Sequence, residues 1–211
     1  MASRHRRMAK RKSRTHGDVM PATVHSANLG RWFEALCRIR IEFLREIVTP
    51  TEGRMKPGAL PKRGGVYAFW WTKDIDLFGR AVQRAPLILK GPGGRPIPLQ
   101  IDADWIGLEA GMPVPLYVGK STGIQSRIGQ HLKLGSKGIS TVGRGAKKAC
   151  QLRAGIDRFF PDATDTRTIV LDHIGLSHVK LDGDRHAANR FYLEDLAIGL
   201  MRPPLNVDVE R

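Results

Sequence analysis

The chain has 211 residues, 41% of them hydrophobic, so it is long enough for one domain with additions and can bury a core. Its 35 Lys and Arg against 20 Asp and Glu give a net charge of +15, which predicts a polyanionic partner such as nucleic acid or an anionic membrane face. Two cysteines without C-x-x-C spacing favour neither a disulfide framework nor a zinc knuckle. No apolar run approaches the roughly 20 residues of a membrane span, so we expect a cytoplasmic protein without a membrane partner.

The first 27 residues are interpreted as a basic, flexible arm. Residues 1–16 carry seven Lys and Arg and no acidic residue, a block that repels itself and cannot bury apolar surface. We expect it to be disordered when free. Such an arm is consistent with contacts to phosphates, with a nuclear-localisation run and with a merely solubilising tail.

Helical spacing of apolar residues over 28–47 predicts a helix, and the Pro/Gly-rich residues 49–64 predict a loop. We therefore divide the rest of the chain into an N-terminal helix and linker, 28–63, and a main domain, 64–211. Within that domain, residues 72–113 are interpreted as an insertion. Two short apolar runs around the Gly-Pro-Gly-Gly sequence at 91–94 predict that it contains a hairpin.

The main domain alternates strand and helix patterns. Residues 65–72 and 114–118 have strand composition, and period-two alternation places Tyr67 on one face of the first strand. Helices are predicted over 122–134, 146–160 and 184–201, and a further strand over 166–174.

Two of these helices place charged side chains beside apolar ones. In the helix over 184–201, Glu194 falls in the apolar stripe and Asp195 on the opposite face. Arg127 and His131 lie one turn apart and flank the stripe of their helix, so both are expected along its inward edge. Buried charge is costly unless it is paired or metal-bound, which makes these residues candidates for a site.

Each candidate also has a structural alternative. Glu194 is one turn from Arg190 and can pair with it, Arg127 can cap a core edge, and His131 can be a satisfied core histidine. The sequence Gly119-Lys120-Ser121 does not complete a phosphate-binding loop, because Val114 stands where such a loop needs a glycine.

In order along the chain, these residues resemble the landmarks of the GIY-YIG nuclease superfamily. The resemblance covers about residues 64–207 and is closest in plan to the type II restriction endonucleases. It implies an α/β (α+β) fold with a small, mainly antiparallel central sheet flanked by helices, here with an inserted hairpin and an N-terminal helix. The landmarks are Gly65-Val66-Tyr67, Tyr117-Val118-Gly119, Arg127, His131, Glu194 and Asn206 after Pro203-Pro204-Leu205.

The resemblance implies metal-dependent cleavage of double-stranded DNA that leaves 5′-phosphate and 3′-hydroxyl ends. Glu194 would hold Mg²⁺ (or Mn²⁺), Arg127 would contact the phosphate, and Tyr67 would be the general base. Tyr117 and His131 would orient the water or relay its proton, while Asn206 would fix the geometry around them. Lys120 and the basic residues of the glycine-rich stretch 135–148 are candidates for contacts to DNA phosphates: Lys137, Arg144, Lys147 and Lys148.

Cutting both strands at a symmetric site implies a homodimer, and a restriction role implies a possible cognate methyltransferase acting on the same sequence. Two alternatives stay open. One is a phage, mobile-element or DNA-repair endonuclease of the same superfamily, and the other is a non-catalytic basic nucleic-acid-binding protein.

Overall fold

The computed structural model describes residues 22–38, 41–49, 54–84, 86–90, 95–101, 112–132, 151–164 and 166–206. The strongly basic residues 1–16 lie outside this part of the chain. The four candidate DNA contacts in the stretch 135–148 lie outside it as well: Lys137, Arg144, Lys147 and Lys148.

Seven α-helices and eight β-strands occur in the described part of the chain, which confirms the mixed α+β class. The helices are α1 (Ala22–Arg38), α2 (Leu44–Ile47), α3 (Ile75–Arg84), α4 (Ile124–Leu132), α5 (Gln151–Phe159), α6 (Thr166–His173) and α7 (Ala187–Met201). The strands are β1 (Glu42–Phe43), β2 (Val48–Thr49), β3 (Arg54–Met55), β4 (Gly65–Trp71), β5 (Leu87–Lys90), β6 (Pro96–Leu99), β7 (Val114–Ser121) and β8 (Ile174–Lys180). Two 3₁₀ turns, Asp184–His186 and Pro204–Asn206, flank α7. No described helix has the length and apolarity that crossing a membrane requires.

The main sheet has four antiparallel strands in the order β1-β8-β4-β7, which confirms the predicted small antiparallel sheet. All seven residues of β4 are buried, because this strand is central and both of its faces are covered. Tyr67 on β4 stands opposite Gly119 on β7 and His178 on β8. The strands that carry the two tyrosines are therefore direct neighbours, although residues 72–113 separate them along the chain.

Tyr117 lies on the same face of the sheet as Tyr67, because Tyr67 pairs with Gly119 and Tyr117 is two residues from Gly119 along β7. An extra residue interrupts the pairing just before Tyr117: Trp70 pairs with Pro115 but Phe69 pairs with Tyr117, so Leu116 has no counterpart on β4. The shift brings Val114, opposite Trp71, to the same face as well.

Different helices cover the two faces of the sheet. We call the first the tyrosine face; it carries Tyr67, Phe69, Trp71 and Tyr117 and packs against apolar residues of α2 to α6. The second, the carboxylate face, carries Val66, Ala68, Trp70 and Val118 and packs against α1 and α7, the helix that contains Glu194. The N-terminal helix is thus one of the two helices that close the second core.

Several predicted elements are wrong. The helix predicted over 28–47 begins at Ala22, inside the stretch interpreted as a flexible arm, and ends at Arg38. Glu42 and Phe43 then pair with β8 as a short edge strand before the single turn of α2, and β3 lies inside the predicted loop 49–64, where it pairs with β2. The strand predicted over 166–174 is helix α6, and the strand begins where that prediction ends, at Ile174. The β-branched residues of α6 favour a strand locally, but Val170 and Leu171 bury against the core as neighbours on one helix face.

The insertion contains one predicted and one unpredicted element. The hairpin is confirmed as the antiparallel pair β5 and β6, in which Leu87 stands opposite Leu99. Helix α3 was not predicted. Its buried residues Phe78, Ala81 and Val82 follow the i, i+3, i+4 spacing that indicates an amphipathic helix.

Candidate active site

Tyr67 and His131 form a buried hydrogen bond at the centre of the tyrosine face. The phenol oxygen lies 2.6 Å from Nε2 of the imidazole, and the two side chains are 0% and 3% exposed. Helix α4 turns His131 inward, because Ile124 and Ile128 bury on the same face of the helix. The ring of Tyr117 lies 5.2 Å from the imidazole, measured between centroids, so three predicted residues from three elements meet here.

His131 is held in its neutral form. Burial, reinforced by the positive charges of Arg127 and Arg153, lowers the pKa of His131 from 6.5 to about 3. A neutral imidazole has one donor and one acceptor nitrogen, and the tautomer decides which of them faces Tyr67. Near neutral pH, His131 therefore orients the phenol and does not store a proton.

Arg127 lies at the boundary between this cluster and solvent. Its side chain is exposed, but its guanidinium interacts with both phenols of the tyrosine face, so Arg127 lies along the edge of α4 that borders the core. Burial alone would lower the pKa of Arg127, but hydrogen bonds and charge interactions with Tyr67 and Tyr117 outweigh it and raise that pKa. The guanidinium also donates to Gln130 Oε1 at 3.1 Å. Arg127 thus links both phenols to the solvent-exposed side of the cluster.

The glycine of each tyrosine tripeptide is required by close packing. A Cβ on Gly119 would lie 2.5 Å from the hydroxyl oxygen of Tyr67, so no other residue lets that phenol reach β7. A Cβ on Gly65 would lie 2.0 Å from the carbonyl oxygen of Val179 on the neighbouring strand. Gly119 therefore lets the Tyr67 phenol approach β7, whereas Gly65 allows the close approach of β4 and β8.

Glu194 reaches the same strand from the carboxylate face. Its side chain is 13% exposed, and Oε1 accepts a hydrogen bond of 3.0 Å from the backbone N–H of Lys120. The Lys120 ammonium forms an ion pair with Oε2 and lies 4.0 Å above the ring of Phe191. The inward carboxylate predicted from helical spacing is present, and its cationic partner comes from β7.

Arg190, the local alternative as partner of Glu194, has another role. Its guanidinium is buried and donates to the carbonyl oxygens of Leu181 and Gly183, at 2.7 and 3.0 Å. It therefore stabilises the turn between β8 and α7.

Asn206 also binds the edge of β7. Its Oδ1 accepts from the backbone N–H of Val118 at 2.6 Å, and its Nδ2 donates to the carbonyl oxygen of the same residue at 2.8 Å. An edge strand leaves such groups unpaired, so the Asn206 amide replaces a neighbouring peptide. Asn206 therefore holds the backbone between Tyr117 and Gly119 in position.

Residues 117–120 of β7 are therefore the point at which the candidate residues converge. Tyr117 lies on the tyrosine face, Asn206 binds the next residue, Gly119 contacts the Tyr67 hydroxyl, and Lys120 binds Glu194. Each of the six predicted catalytic residues belongs to this segment, contacts it, or contacts a residue that does so directly: Tyr67, Tyr117, Arg127, His131, Glu194 and Asn206.

Glu194 is the residue that would hold a divalent cation. In the described ranges, no group of three or more His, Cys, Asp or Glu has the arrangement of a metal site. Mg²⁺ is commonly held by one or two carboxylates, with waters and substrate phosphates completing its shell, so one carboxylate is an adequate donor set. The Lys120 ammonium would have to leave Oε2. Its side chain is 28% exposed on a long flexible stem, which makes this exchange feasible.

Two residues beside the site were not predicted. His178 stands opposite Tyr67 in the sheet and is half-buried; burial, and then the charge of Lys180, lowers its pKa. Side-chain alternation along β8 places His178 on the tyrosine face, and a strand predicted over Ile174–Lys180 would have identified it. The second is Arg153 in α5, a buried arginine one residue after Leu152 of the apolar stripe.

No protein-family model, curated protein or solved structure matches this chain.

Proposed function

We propose that this protein is a divalent-metal-dependent endonuclease of the GIY-YIG type that hydrolyses double-stranded DNA, with type II restriction in the cytoplasm as its role. The observation that carries the proposal is the convergence at residues 117–120. A phenol, imidazole and guanidinium cluster approaches this segment from one face of the sheet, and a carboxylate approaches it from the other. The net charge of +15 adds the attraction for phosphates that such an enzyme needs.

Arg127 is the phosphate-binding group in this proposal. A guanidinium offers a planar fork of donors to a phosphoryl group, and its charge favours the phenolate form of a neighbouring tyrosine. Since Arg127 hydrogen-bonds to both phenols and is exposed, it can hold a phosphate beside them.

Burial favours Tyr117 over Tyr67 as the base that takes a proton from water. Tyr67 is 0% exposed and hydrogen-bonded to His131, whereas Tyr117 is 8% exposed. We therefore assign the contact with water to Tyr117 and a supporting role to Tyr67, which reverses the preference taken from the family resemblance. Tyr117 takes the proton of the attacking water, whose oxygen bonds to phosphorus while the bond from phosphorus to the 3′ oxygen breaks. The departing 3′ oxygen takes a proton from solvent, which leaves a 5′-phosphate and a 3′-hydroxyl.

Glu194 would hold Mg²⁺ or Mn²⁺ through the carboxylate that now accepts from Lys120. When bound, the cation supplies neutralisation of charge on the phosphoryl oxygens. A homodimer would place one such site on each strand of a symmetric sequence, and a cognate methyltransferase would protect that sequence in the host DNA.

A non-catalytic DNA-binding protein is the second candidate, and the ion pair between Lys120 and Glu194 favours it. If Lys120 neutralises the carboxylate permanently, the chain binds DNA through its positive charge and cuts nothing.

Incubation of supercoiled plasmid with the protein and Mg²⁺ or Mn²⁺ tests these functions. Discrete fragments with one shared palindromic end would support restriction, whereas scattered nicks would support a repair or mobile-element enzyme. Binding that weakens with salt, without cleavage, would support the second candidate.

The matched variants are Glu194→Gln and Asp195→Asn. Both remove one negative charge from α7, but Asp195 is exposed on the opposite side of the helix. We expect Glu194→Gln to abolish cleavage and leave DNA binding intact, and Asp195→Asn to cut normally. Undiminished cleavage by Glu194→Gln would refute the site assignment.

A further inference from the structure

Arg153 is a buried charge that no described carboxylate binds by a hydrogen bond. Its side chain is 8% exposed, and its Nε and Nη1 atoms are buried with no hydrogen-bond partner in that part of the chain. A guanidinium removed from water at this cost is normally paired. Its isolation points to a ligand that brings negative charge.

The acid nearest in sequence does not supply this charge. Asp157 lies one turn later on α5, at the spacing of a helical ion pair, but its Oδ1 accepts from the Thr166 hydroxyl at 2.6 Å. Its Oδ2 has no partner within the described residues, as is also true of Arg153 Nε and Nη1. Residues 133–150, which connect α4 to α5, contain no Asp or Glu.

The position of Arg153 in its helix raises the local positive potential further. It stands in the first turn of the nine-residue helix α5, and this turn contains no acidic residue. The N-terminal end of a helix carries partial positive charge and unpaired N–H groups, which favour an anion and disfavour a cation.

Arg153 also lies close to the candidate active site. Its charge, after burial and the charge of Arg127, contributes to lowering the pKa of His131. Leu152 and Ile156, on either side of it in α5, belong to the same core cluster as Tyr67 and Tyr117. Arg127 and Arg153 are thus two guanidinium groups acting on one neutral imidazole.

We propose that Arg153, with the first turn of α5, binds a backbone phosphate of the DNA next to the phosphate that Arg127 contacts. This inference rests on the proposed DNA substrate and adds a second phosphate site to it. The ligand is a phosphodiester oxyanion, because only charge-assisted hydrogen bonds replace the hydration that the enclosed guanidinium has lost. Two adjacent phosphates held in this way would set the register of one strand across the site.

The test is the salt dependence of binding to a short fluorescein-labelled duplex, followed by anisotropy in EDTA so that no cleavage occurs. We expect Arg153→Gln to weaken binding and to reduce the slope of log K against log salt concentration by about 0.9, the contribution of one phosphate contact. Arg158→Gln is the matched control. Arg158 is an exposed arginine of the same helix, so this variant makes the same charge change and should leave the slope unchanged.

Two further measurements separate a ligand site from a structural role. Because no described residue pairs with Arg153, the melting temperature of Arg153→Gln should equal or exceed that of the parent. Arg153→Lys keeps the charge and should retain the slope with part of the affinity.

An unchanged slope in Arg153→Gln would overturn the proposal. A lower melting temperature or failure to fold would also overturn it, because it would reveal that Arg153 has a structural partner within the protein. The binding test needs no metal and no cleavage. A reduced slope would therefore support the second phosphate site even if the protein never cuts plasmid. An active nuclease with an unchanged slope would refute this inference alone.

Discussion

The two faces of the sheet hold their parts of the candidate site in different ways. On the tyrosine face, Tyr67 and His131 are almost completely buried, His131 is neutral, and core packing determines their positions. On the carboxylate face, Glu194 and Lys120 are charged and partly exposed, and each is held mainly by the other. Packing resists rearrangement, whereas a partly exposed ion pair exchanges partners at little cost. The comparison indicates that the aromatic half is preformed, whereas the carboxylate half would be able to change its partner if the proposed metal and DNA bind.

On the tyrosine face, the largest expected effect comes from removing the phenol hydroxyl groups. Tyr117→Phe should reduce the single-turnover rate of plasmid cleavage by about 10² to 10⁴, the usual contribution of a positioned acid or base. Tyr67→Phe should also reduce it, because His131 loses its hydrogen-bond partner. Tyr192→Phe is the control, since Tyr192 is the third tyrosine of the chain and is 55% exposed. Cleavage at the parental rate by both Tyr67→Phe and Tyr117→Phe would show that the tyrosine face takes no part in catalysis.

The second prediction concerns the pH dependence of stability. His131 has a folded-state pKa of about 3 and an ordinary value of 6.5, so the unfolded chain takes up its proton first as pH falls. The contribution of neutral His131 is therefore complete above pH 6.5 and is lost progressively down to about pH 3. Urea unfolding should show a loss of about 2 kcal/mol from this residue between about pH 8 and pH 5.

His131→Gln should have a shallower dependence over the same range, although His178 contributes with the same sign in both proteins. Identical pH profiles for the parent and His131→Gln would show that the imidazole is not held neutral by burial.

Gly119→Ala tests the junction of the two faces. The added methyl group would meet the Tyr67 hydroxyl and ring, so we expect a destabilisation of about 1–3 kcal/mol and a loss of cleavage. Gly129→Ala on α4 is the control, because nothing lies within 4 Å of its Cβ position. That variant should gain about 0.5–1 kcal/mol from helix propensity. Equal stability of the two variants would contradict the close approach of Tyr67 to β7.

The smallest effect is expected for the ion pair on the carboxylate face. A double-mutant cycle with Lys120→Met and Glu194→Gln should give a coupling of about 0.5–1 kcal/mol in urea unfolding, because both groups are partly exposed. A coupling above about 3 kcal/mol would show that Lys120 is a permanent partner. It would then favour the non-catalytic DNA-binding protein.

Much of the site was predictable because helix and strand periods are local. The spacing of α4 and α7 identified His131 and Glu194 as inward-facing, and strand alternation placed Tyr67 on one face. The α6 and β8 region was not predictable in the same way. Its β-branched residues favour a strand at 166–174, and only packing of Val170 and Leu171 against the core makes that segment a helix.

The sequence by itself determined which side chains turn inward, because helix and strand periods depend on residues close together in the chain. It also determined the large positive charge, because net charge depends on composition alone. Tertiary structure decided which of these side chains meet. Glu194 pairs with a lysine 74 positions away and not with Arg190 one turn earlier, because α7 packs on the face of the sheet that presents Lys120. The pairing of Tyr67 with Gly119 brings Tyr117, two residues away on β7, to the side of Tyr67. Both outcomes depend on the pairing of β4 with β7 across the insertion, a long-range contact that no local period encodes.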